Sequence, residues 1–233
     1  MIRRAFGVAA GVIATLGLAQ PVLAATGRVA NTQSTTFAGA NFANYIGVPG
    51  AVSALVVVPK LNCKGTPAAG SSVYAGVGIQ SVNSFARLYL ACTPQGTARY
   101  YPSLLVSGTA KNFGGDVPRV GDKVELAVSQ SDSQVTVSVI DLTHKFNATS
   151  NGTGSGTSEG ITAGDYPVVS GTTSPVPNFG SMAFSSAEIN GYPFGSSGTG
   201  LQVDDLYASS TLQIKTAFSA VNKEAFATVF VHS

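Results

Sequence analysis

The chain is 233 residues long, only 10% of its residues are charged, and its formal net charge is +2. A typical soluble domain has about 25% charged residues, so uncharged polar residues and glycine must supply most of the surface here. The near-neutral balance, without a basic stripe, excludes nucleic acid and anionic membrane as expected partners. The shortage of charged side chains also leaves few candidates for acid–base chemistry.

The chain begins like an exported protein. Two arginines form a short positive start, an uncharged apolar run covers residues 5–19, and small residues follow up to Ala24. This pattern predicts a signal peptide over residues 1–24 that is cleaved after Ala24 or Ala25. The apolar run is shorter than the roughly 20 residues of a membrane-spanning helix. We therefore expect a secreted protein, extracellular or periplasmic, with no membrane contact after cleavage.

Residues 25–50 follow as an N-terminal extension or first strand. Residues 51–233 are expected to form one domain, since no repeat or linker divides them. Without the leader, eleven basic side chains face eleven acidic ones, so the mature domain is close to neutral. The segment 26–44 is low in charge and could add a strand to the sheet of a neighbouring molecule, so self-assembly is one expectation for it.

Strand signals recur at short intervals along the rest of the chain. The clearest is a hairpin over residues 123–139, where apolar and polar residues alternate on both sides of a polar turn. Alternation with a period of two places one face on a core and the other in water. No segment after the leader has helical periodicity, so we expect an all-β, two-sheet antiparallel sandwich. The other predicted strands are residues 52–58, 73–79, 85–91, 99–106, 181–187, 201–207, 212–218 and 225–231.

Two further features concern a loop and the cysteines. Residues 149–160 are rich in Gly, Ser and Thr and are predicted to be a mobile loop.

Cys63 and Cys92 are predicted to form a disulfide, because exported proteins meet an oxidising environment. The bond would close a loop of about 30 residues and contribute roughly 3–4 kcal/mol. Two cysteines and two scattered histidines lack the spacing of a metal site, so no metal and no cofactor are expected.

Six short segments between residue 50 and the C-terminus follow one another in an order that is informative. Together they resemble the glutamic peptidases, or eqolisins, which are acid endopeptidases with a concanavalin A-like β-sandwich. The resemblance implies that fold for this chain. The segments are 52–59 (VSALVVVP), 75–79 (AGVGI), 100–102 (YYP), 120–124 (VGDKV), 159–163 (EGITA) and 178–184 (NFGSMAF).

The resemblance also implies which catalytic residues are missing. In that family a glutamate is the general base on a water, and a glutamine amide places the water and stabilises the oxyanion. The glutamate corresponds to Glu159. Counting back from Cys92, the glutamine position falls on Ala86 and the family's active-site tryptophan on Gly76, and the chain contains no tryptophan. The resemblance therefore implies a pseudoenzyme, in which Glu159 would be catalytic only with a displaced amide partner such as Gln80.

The former substrate cleft remains as a candidate binding site. Arg87, Tyr89, Tyr100 and Tyr101 lie on strands that form the family's concave sheet, and Gln80 directly follows the neighbouring predicted strand. Because side chains alternate along a strand, only one of Tyr100 and Tyr101 can face the cleft. Arg87 could hold an anion, but it would also lower the pKa of a nearby glutamate and weaken it as a base.

Other classes of active site have little support. No G-x-S-x-G elbow accompanies the two histidines, which argues against a serine hydrolase. Adjacent Asp204 and Asp205 point to opposite faces of a strand, and Glu125 and Glu188 resemble solvated strand residues. This pattern argues against a paired-carboxylate glycosidase. The scattered Asp and Asn residues do not make a calcium site.

Three functions stay open. The first is a secreted, non-catalytic protein that binds a peptide, a glycan or a protein partner through the former cleft, or serves as an extracellular structural subunit. The second is an acid glutamic endopeptidase that uses Glu159 with a displaced amide partner. The third is a glycan-binding or glycan-cleaving sandwich.

Overall fold

The computed structural model describes residues 31–44, 50–64, 70–113, 118–154, 159–167, 175–194, 201–218 and 224–231. Within these ranges the chain forms sixteen strands and one short 3₁₀ turn, Gln80–Val82. The strands are β1 (Asn31–Ser34), β2 (Ala38–Asn44), β3 (Ala51–Val57), β4 (Ser72–Ile79), β5 (Ser84–Cys92), β6 (Ala98–Val106), β7 (Thr109–Asn112), β8 (Lys123–Ser131), β9 (Gln134–Asp141), β10 (Phe146–Thr153), β11 (Glu159–Pro167), β12 (Ser181–Ile189), β13 (Tyr192–Pro193), β14 (Leu201–Ala208), β15 (Thr211–Phe218) and β16 (Phe226–Phe230).

The strands follow one hydrogen-bonded path. Its order is β10-β9-β8-β3-β12-β16-β15-β14-β2-β11-β4-β5-β6-β7, with β1 on β14 and β13 on β12. Among the described pairings, β1 with β14 is parallel and the others are antiparallel. The path folds back on itself, because β8 and β9 pack across the interior against β4, β5 and β6. The result is a two-layer antiparallel sandwich, which is the predicted fold class.

The core between the layers is built by alternation. In β8, Val124, Leu126 and Val128 are fully buried, while Lys123 and Ser129 are exposed. The predicted hairpin is confirmed, since β8 pairs with β9 along its whole length. Burying each Val or Leu side chain contributes about 1.5–3 kcal/mol, so this hairpin supplies a large share of the core.

The predicted loop over residues 149–160 is partly wrong. Phe146–Thr153 forms β10 and Glu159 begins β11, while the residues between them lie outside the described ranges apart from Gly154. β10 pairs with β9 along its whole length. Glycine is needed at position 152, because a Cβ atom there would lie 2.5 Å from Val106 Cγ1. The Gly-, Ser- and Thr-rich composition, which is typical of loops, here allows a strand to pack closely against its neighbours.

The segment before residue 50 supplies a central strand. β2 lies between β14 and β11, and its Phe42 is among the largest fully buried side chains. Gly39 of β2 faces Gly164 of β11, and a Cβ atom on either glycine would collide with the backbone of the other strand. Residues 38–44 therefore belong to the sandwich of their own chain. Self-assembly through the segment 26–44 stays a prediction.

The predicted disulfide is confirmed. Cys63 and Cys92 are bonded, with their Cα atoms 5.3 Å apart, and the bond ties the segment after β3 to the last residue of β5. Within the described ranges, no helix is long and apolar enough to span a membrane. The predicted signal peptide, residues 1–24, lies outside those ranges, so export stays a prediction.

Candidate ligand-binding face

Neighbouring strands of one layer present a set of side chains on its outer side. Alternate residues of the same strands, such as Ala75 and Leu88, are fully buried in the core. Strand register aligns one row of tyrosines: Tyr101, Tyr89, Tyr74 and Tyr166. The adjacent row contains Ser103, Arg87, Gly76, Gly164 and Gly39. We call the surface formed by Tyr74, Phe85, Arg87, Tyr89, Tyr101 and Tyr166 the aromatic face.

The rings of the aromatic face are in mutual contact. Tyr89 stacks on Tyr101 with ring centroids 4.4 Å apart, and Tyr74 lies 5.3 Å from Tyr89. Phe85 meets the Tyr166 ring edge-on at 5.5 Å. Aromatic pairs of this kind contribute about 0.5–1.5 kcal/mol beyond their buried area. All of these rings are partly exposed, so the face offers an ordered aromatic surface to a ligand.

Arg87 lies in the middle of this surface. Its guanidinium carbon is 4.1 Å from the centroid of the Tyr74 ring, and its Nη2 donates a hydrogen bond to the Ser103 hydroxyl at 3.3 Å. Its Nε is buried without a hydrogen-bond partner. Within the described ranges the ion pairs belong to His144, and Arg87 has none. Burial lowers the pKa of Arg87, but an arginine keeps its charge at neutral pH.

Glycines beneath the aromatic face let its side chains lie flat. A Cβ atom at Gly76 would crowd the Arg87 side chain, and one at Gly78 would collide with the Phe85 ring. Both glycines are directly opposite those residues in the β4–β5 register. Glycine inside a strand often marks such a close approach, and here it sets the shape of the face.

Burial disfavours the ionisation of two tyrosine hydroxyls of this surface. Burial raises the pKa of Tyr101 to about 12, and neighbouring Tyr89 adds to the effect. Burial also raises the pKa of Tyr166, whose hydroxyl donates a hydrogen bond to the Thr162 hydroxyl. Since a general base must be deprotonated near the working pH, these tyrosines are suited to binding and not to proton abstraction.

Two of the residues predicted to line the cleft lie elsewhere. Tyr100 packs against the core from the other side of β6, and its hydroxyl accepts a hydrogen bond from the Leu61 N–H at 3.1 Å. Gln80 is exposed in the 3₁₀ turn that follows β4. Alternation explains the first case, and the end of the strand explains the second. The predicted cleft residues that do share the face are Arg87, Tyr89 and Tyr101.

The positions assigned by counting differ from those that face outward. Ala86 was matched to the glutamine of the glutamic peptidases, but its side chain is fully buried in the core. Its neighbour Arg87 occupies the outer face instead. The residues aligned with Arg87 across β4, β11 and β2 are all glycine, including Gly76 at the tryptophan position. Beyond these glycines the same row reaches Asp204 of β14, and on the other side of Arg87 it ends at Asn112 of β7.

Glu159 lies at the start of β11, and amide-bearing residues flank this point of the chain. Its backbone pairs with Asn44 of β2. On the other side of β11, Ile161 pairs with Ile79, the residue that precedes Gln80. The side chain of Glu159 lies outside what the structure describes, so its catalytic role stays a prediction.

The start of β11 is remote from Arg87. Gly164, which lies in the row of Arg87, is five residues further along the strand than Glu159. At about 3.3 Å per residue, five residues span roughly 16 Å. The start of β11 therefore lies in a different part of the sheet from Arg87 and its neighbouring rings.

One buried acid was not identified from the sequence. Asp165 is fully buried on the core side of β11, and neither of its carboxyl oxygens has a hydrogen-bond partner of normal geometry. Burial raises the pKa of Asp165 to about 8, and the nearby Thr228 hydroxyl acts in the opposite sense. The alternation of Asp165 with Ile161 and Ala163 in β11 is the sequence signal that could have revealed it.

The adjacent aspartates of β14 have structural roles. Both are buried, and each has its own partners, as expected for neighbours that point to opposite faces. Asp205 accepts hydrogen bonds from Asn31 Nδ2 and from the Thr216 N–H, both at 2.7 Å. Three side chains donate to the Asp204 carboxylate: Thr32, Asn41 and Gln202. Together these bonds hold β1 on the sheet.

A small groove lies on the outer side of the other layer. Its volume is about 270 Å³, below the roughly 300–1,000 Å³ of pockets that enclose drug-sized ligands. Glu125 and Glu188 are partly exposed at its walls. This size gives no specific support to a glycan-cleaving cleft. The lining residues are Ser53, Ala54, Leu55, Glu125, Ser186 and Glu188.

The fold is shared with solved glutamic peptidases. Scytalido-glutamic peptidase with a transition-state-analogue inhibitor has a TM-score of 0.63 and 14% identity, over 86% of this chain and 100% of that chain. Scytalido-glutamic peptidase with a peptide-based transition-state analogue has a TM-score of 0.63 and 15% identity, over 86% of this chain and 100% of that chain. SCP-B, an eqolisin solved with the tripeptide Ala-Ile-His, has a TM-score of 0.58 and 13% identity, over 86% of this chain and 100% of that chain. No protein-family model and no curated protein matches the sequence. The eqolisin-like fold is therefore confirmed. Sequence identities this low support a shared fold and do not support a shared function.

Proposed function

We propose that this chain is an exported, non-catalytic β-sandwich protein that binds an extended peptide through the aromatic face. Arg87 pairs with a carboxylate of the peptide, and the tyrosine row stacks against its side chains. The observation that carries the proposal is the state of Arg87: it is partly exposed among stacked tyrosines and has no acidic partner within the described ranges.

The chemistry of arginine favours a carboxylate as the ligand group. Its planar guanidinium presents donors that match carboxylate geometry, and such charge-assisted bonds are about twice as strong as neutral ones. The Tyr74 ring beneath the guanidinium and the Ser103 hydroxyl beside it fix the orientation of the fork. Buried donors without partners are uncommon in folded proteins, so the unpaired Nε indicates that Arg87 is kept for a purpose other than stability.

The fold supports a peptide over other ligands. Solved proteins with this fold have been captured with a peptide-based transition-state analogue and with a tripeptide. The half-exposed tyrosine row supplies flat contact area at low entropic cost, as aromatic residues do at many interfaces.

The side chains of the same surface support a non-catalytic role. Peptide hydrolysis requires a general base and a donor for the oxyanion within reach of one water. On the aromatic face, burial raises the pKa of Tyr101 and Tyr166, and the residues aligned with Arg87 on β4, β11 and β2 are glycine. Ala86, at the counted glutamine position, is fully buried in the core. A peptide bound over the aromatic face would meet a cation and rings. The carboxylate of that row, Asp204, lies four strands away from Arg87 and already accepts hydrogen bonds from three side chains.

Export is supported by two features of different kinds. The N-terminal pattern of basic start, apolar run and small residues is typical of a cleaved signal peptide. The Cys63–Cys92 disulfide is of the kind that persists in oxidising compartments. An extracellular or periplasmic protein would meet free peptides there.

A second function has one observation in its favour. Asn44 pairs with Glu159, and Gln80 follows the residue that pairs with Ile161. The Gln80 amide could serve as the displaced partner of Glu159 in an acid glutamic endopeptidase. Digestion of denatured casein at pH 2–4, abolished by Glu159→Gln, would establish this alternative and overturn the non-catalytic proposal.

An array of acidic peptides tests the binding proposal. Each peptide is paired with a copy in which every Glu and Asp is replaced by Gln and Asn. We expect the protein to prefer the acidic copies, Arg87→Ala to abolish that preference, and Arg87→Lys to retain part of it because the charge stays while the fork is lost. Arg99→Ala, which removes an exposed arginine of β6, is the matched control. Failure to bind any peptide, or an acid preference that survives in Arg87→Ala, would contradict the proposal.

A further inference from the structure

Three side chains of metal-binding type meet at one end of the β8–β9 hairpin, on the layer opposite the aromatic face. Asp122 precedes β8, Asp141 ends β9, and His144 lies in the turn that follows. The β8–β9 register brings them together, since Asp141 pairs with Val124, two residues after Asp122. One potential ligand atom from each of the three residues lies within 4.8 Å of the others.

The two carboxylates are buried and the imidazole is exposed. The Asp122 and Asp141 side chains are 5% and 1% exposed, whereas that of His144 is 43% exposed. The aspartates therefore form the floor of the cluster, and His144 covers it from the solvent side. A cation could reach this position by movement of His144 alone, without any change in the sheet.

Backbone groups orient the carboxylates but leave one oxygen over. The Arg119 N–H donates to Asp122 Oδ2 at 2.6 Å. The N–H groups of Thr143 and His144 donate to Asp141 Oδ1 at 2.8 and 3.0 Å. Asp141 Oδ2 is buried and accepts no hydrogen bond. This oxygen belongs to the cluster, with His144 Nδ1 at 3.5 Å, and its lack of a hydrogen bond is a second, independent observation that points to a ligand here.

Nearby cationic side chains do not explain the unpartnered oxygen. Arg119, Lys123 and Lys145 are close in sequence, yet within the described ranges the ion pairs of both aspartates are with His144. A single imidazole, charged only when protonated, faces two buried carboxylates. A divalent cation would balance both and would satisfy Asp141 Oδ2 directly.

We propose that Asp122, Asp141 and His144 form a binding site for a divalent cation of the zinc class. His144 Nδ1 is 3.0 Å from Asp122 Oδ2 and 3.5 Å from Asp141 Oδ2. Ligands of a tetrahedral zinc ion bound at about 2.0–2.2 Å are roughly 3.3 Å apart, so the observed spacing suits such an ion after small side-chain shifts.

The donor set discriminates between cations. Calcium takes about six to eight oxygen ligands, and magnesium demands near-octahedral oxygen coordination. An imidazole with two carboxylates instead suits zinc and similar transition metals. The backbone N–H groups of Arg119, Thr143 and His144 act as the outer layer that orients the carboxylates. The bound ion would tie the loop before β8 to the turn after β9 and so stabilise the hairpin end.

Isothermal titration of the purified, chelator-treated protein with Zn²⁺ tests the site. We expect one ion per chain, a rise in melting temperature that EDTA reverses, and weaker effects of Mg²⁺ and Ca²⁺. His144→Ala, which removes an exposed side chain and leaves the buried residues in place, is expected to lower the Zn²⁺ affinity at least about 100-fold, since losing even an outer-layer partner costs about 10–100-fold. Asp141→Asn provides a second variant of the same site.

Matched controls separate this site from unspecific binding. His232→Ala removes the other histidine of the chain, and Asp132→Asn removes an exposed aspartate at the opposite end of the hairpin. Both are expected to bind Zn²⁺ like the unmodified protein. No stoichiometric binding, equal binding by His144→Ala, or loss of binding in His232→Ala would each overturn the proposal.

Discussion

The side chain of Arg87 lies directly across Gly76, its partner in the β4–β5 pairing. A Cβ atom at position 76 would be 2.9 Å from Arg87 Cγ and 2.7 Å from the carbonyl oxygen of Ala86. Position 76 is where the resemblance to glutamic peptidases places an active-site tryptophan. A large side chain at this point and the observed position of Arg87 exclude each other.

Gly76→Ala is expected to displace Arg87 and to weaken peptide binding. The added methyl group has backbone on one side and Arg87 on the other, and overpacking of this kind costs about 1–3 kcal/mol. Chemical denaturation measures the loss, and the acidic-peptide array measures the change in preference. Gly50→Ala is the control, because its Cβ atom would meet only the end of the Asn190 side chain. Unchanged stability together with unchanged acid preference in Gly76→Ala would show that the contact has been misjudged.

The stability of the protein is expected to fall as the pH rises from about 4 to about 8. Burial raises the pKa of Asp165 to about 8 in the folded protein, whereas an unfolded aspartate titrates near 4. Between these values the folded state holds a proton that the unfolded state has lost, so the free energy of unfolding decreases with pH. The full loss is on the order of 5 kcal/mol.

Asp165→Asn removes this titration while keeping the shape of the side chain. The variant should match the unmodified protein near pH 4 and be the more stable of the two near pH 8, as measured by urea denaturation across the range. Asp141 does not interfere. Burial opposes ionisation there, but the backbone N–H groups of His144 and Thr143 prevail and lower its pKa, so its effect is confined to more acidic pH. A declining stability that persists in Asp165→Asn would assign the pH dependence to another group.

Asp204→Ala is expected to release β1 from the sheet. The buried carboxylate accepts hydrogen bonds from three side chains, and its removal leaves those donors without an acceptor. We expect a loss of about 2–4 kcal/mol, since bonds to a charged group contribute about 1.5–3 kcal/mol and unpaired donors add a penalty. Amide hydrogen exchange should show faster exchange in Asn31–Ser34. Asp132→Ala, at an exposed turn, serves as the control, and retained protection of β1 would argue against this role.

Replacing both Cys63 and Cys92 by alanine is expected to lower the free energy of unfolding by about 3–4 kcal/mol, because a 29-residue separation leaves a long loop free in the unfolded chain. The aromatic face lies on β4, β5, β6 and β11 and should keep its peptide preference once the variant is folded. Denaturation with and without a reducing agent checks the prediction. A reducing agent that leaves the unmodified protein equally stable would contradict it.

The alternating strands and the disulfide could be predicted from the sequence, but several polar strands could not. β2, β10 and β11 contain many Gly, Asn, Ser and Thr residues. They are buried because neighbouring strands of the sheet pack beside them. Gly39 and Gly164 show the reason, since they permit two backbones to approach closely and carry no hydrophobic signal of their own. Such residues are typical of loops when each is considered alone.

The candidate site was predicted in part for a similar reason. Alternation within β5 and β6 places Arg87, Tyr89 and Tyr101 on one side of the sheet. This arrangement could be predicted because the two strands are neighbours in the sequence. Tyr166 joins them only through the pairing of β11 with β4, strands about 90 residues apart in the chain, whose register no local pattern specifies. Asp122 and His144 likewise meet through a hairpin register, which the spacing of histidine, cysteine and aspartate along the chain does not specify.

The most direct measurement of the central claim is the NMR signal of the Arg87 Nε–Hε group, assigned by its loss in Arg87→Lys. The protein is titrated with an acidic hexapeptide selected on the array and with its copy in which Glu is replaced by Gln. Pairing of the guanidinium with a peptide carboxylate predicts a saturable shift of this signal with the acidic peptide and little change with the neutral copy. Binding that leaves the Arg87 signal unmoved, or equal shifts with both peptides, would contradict the account.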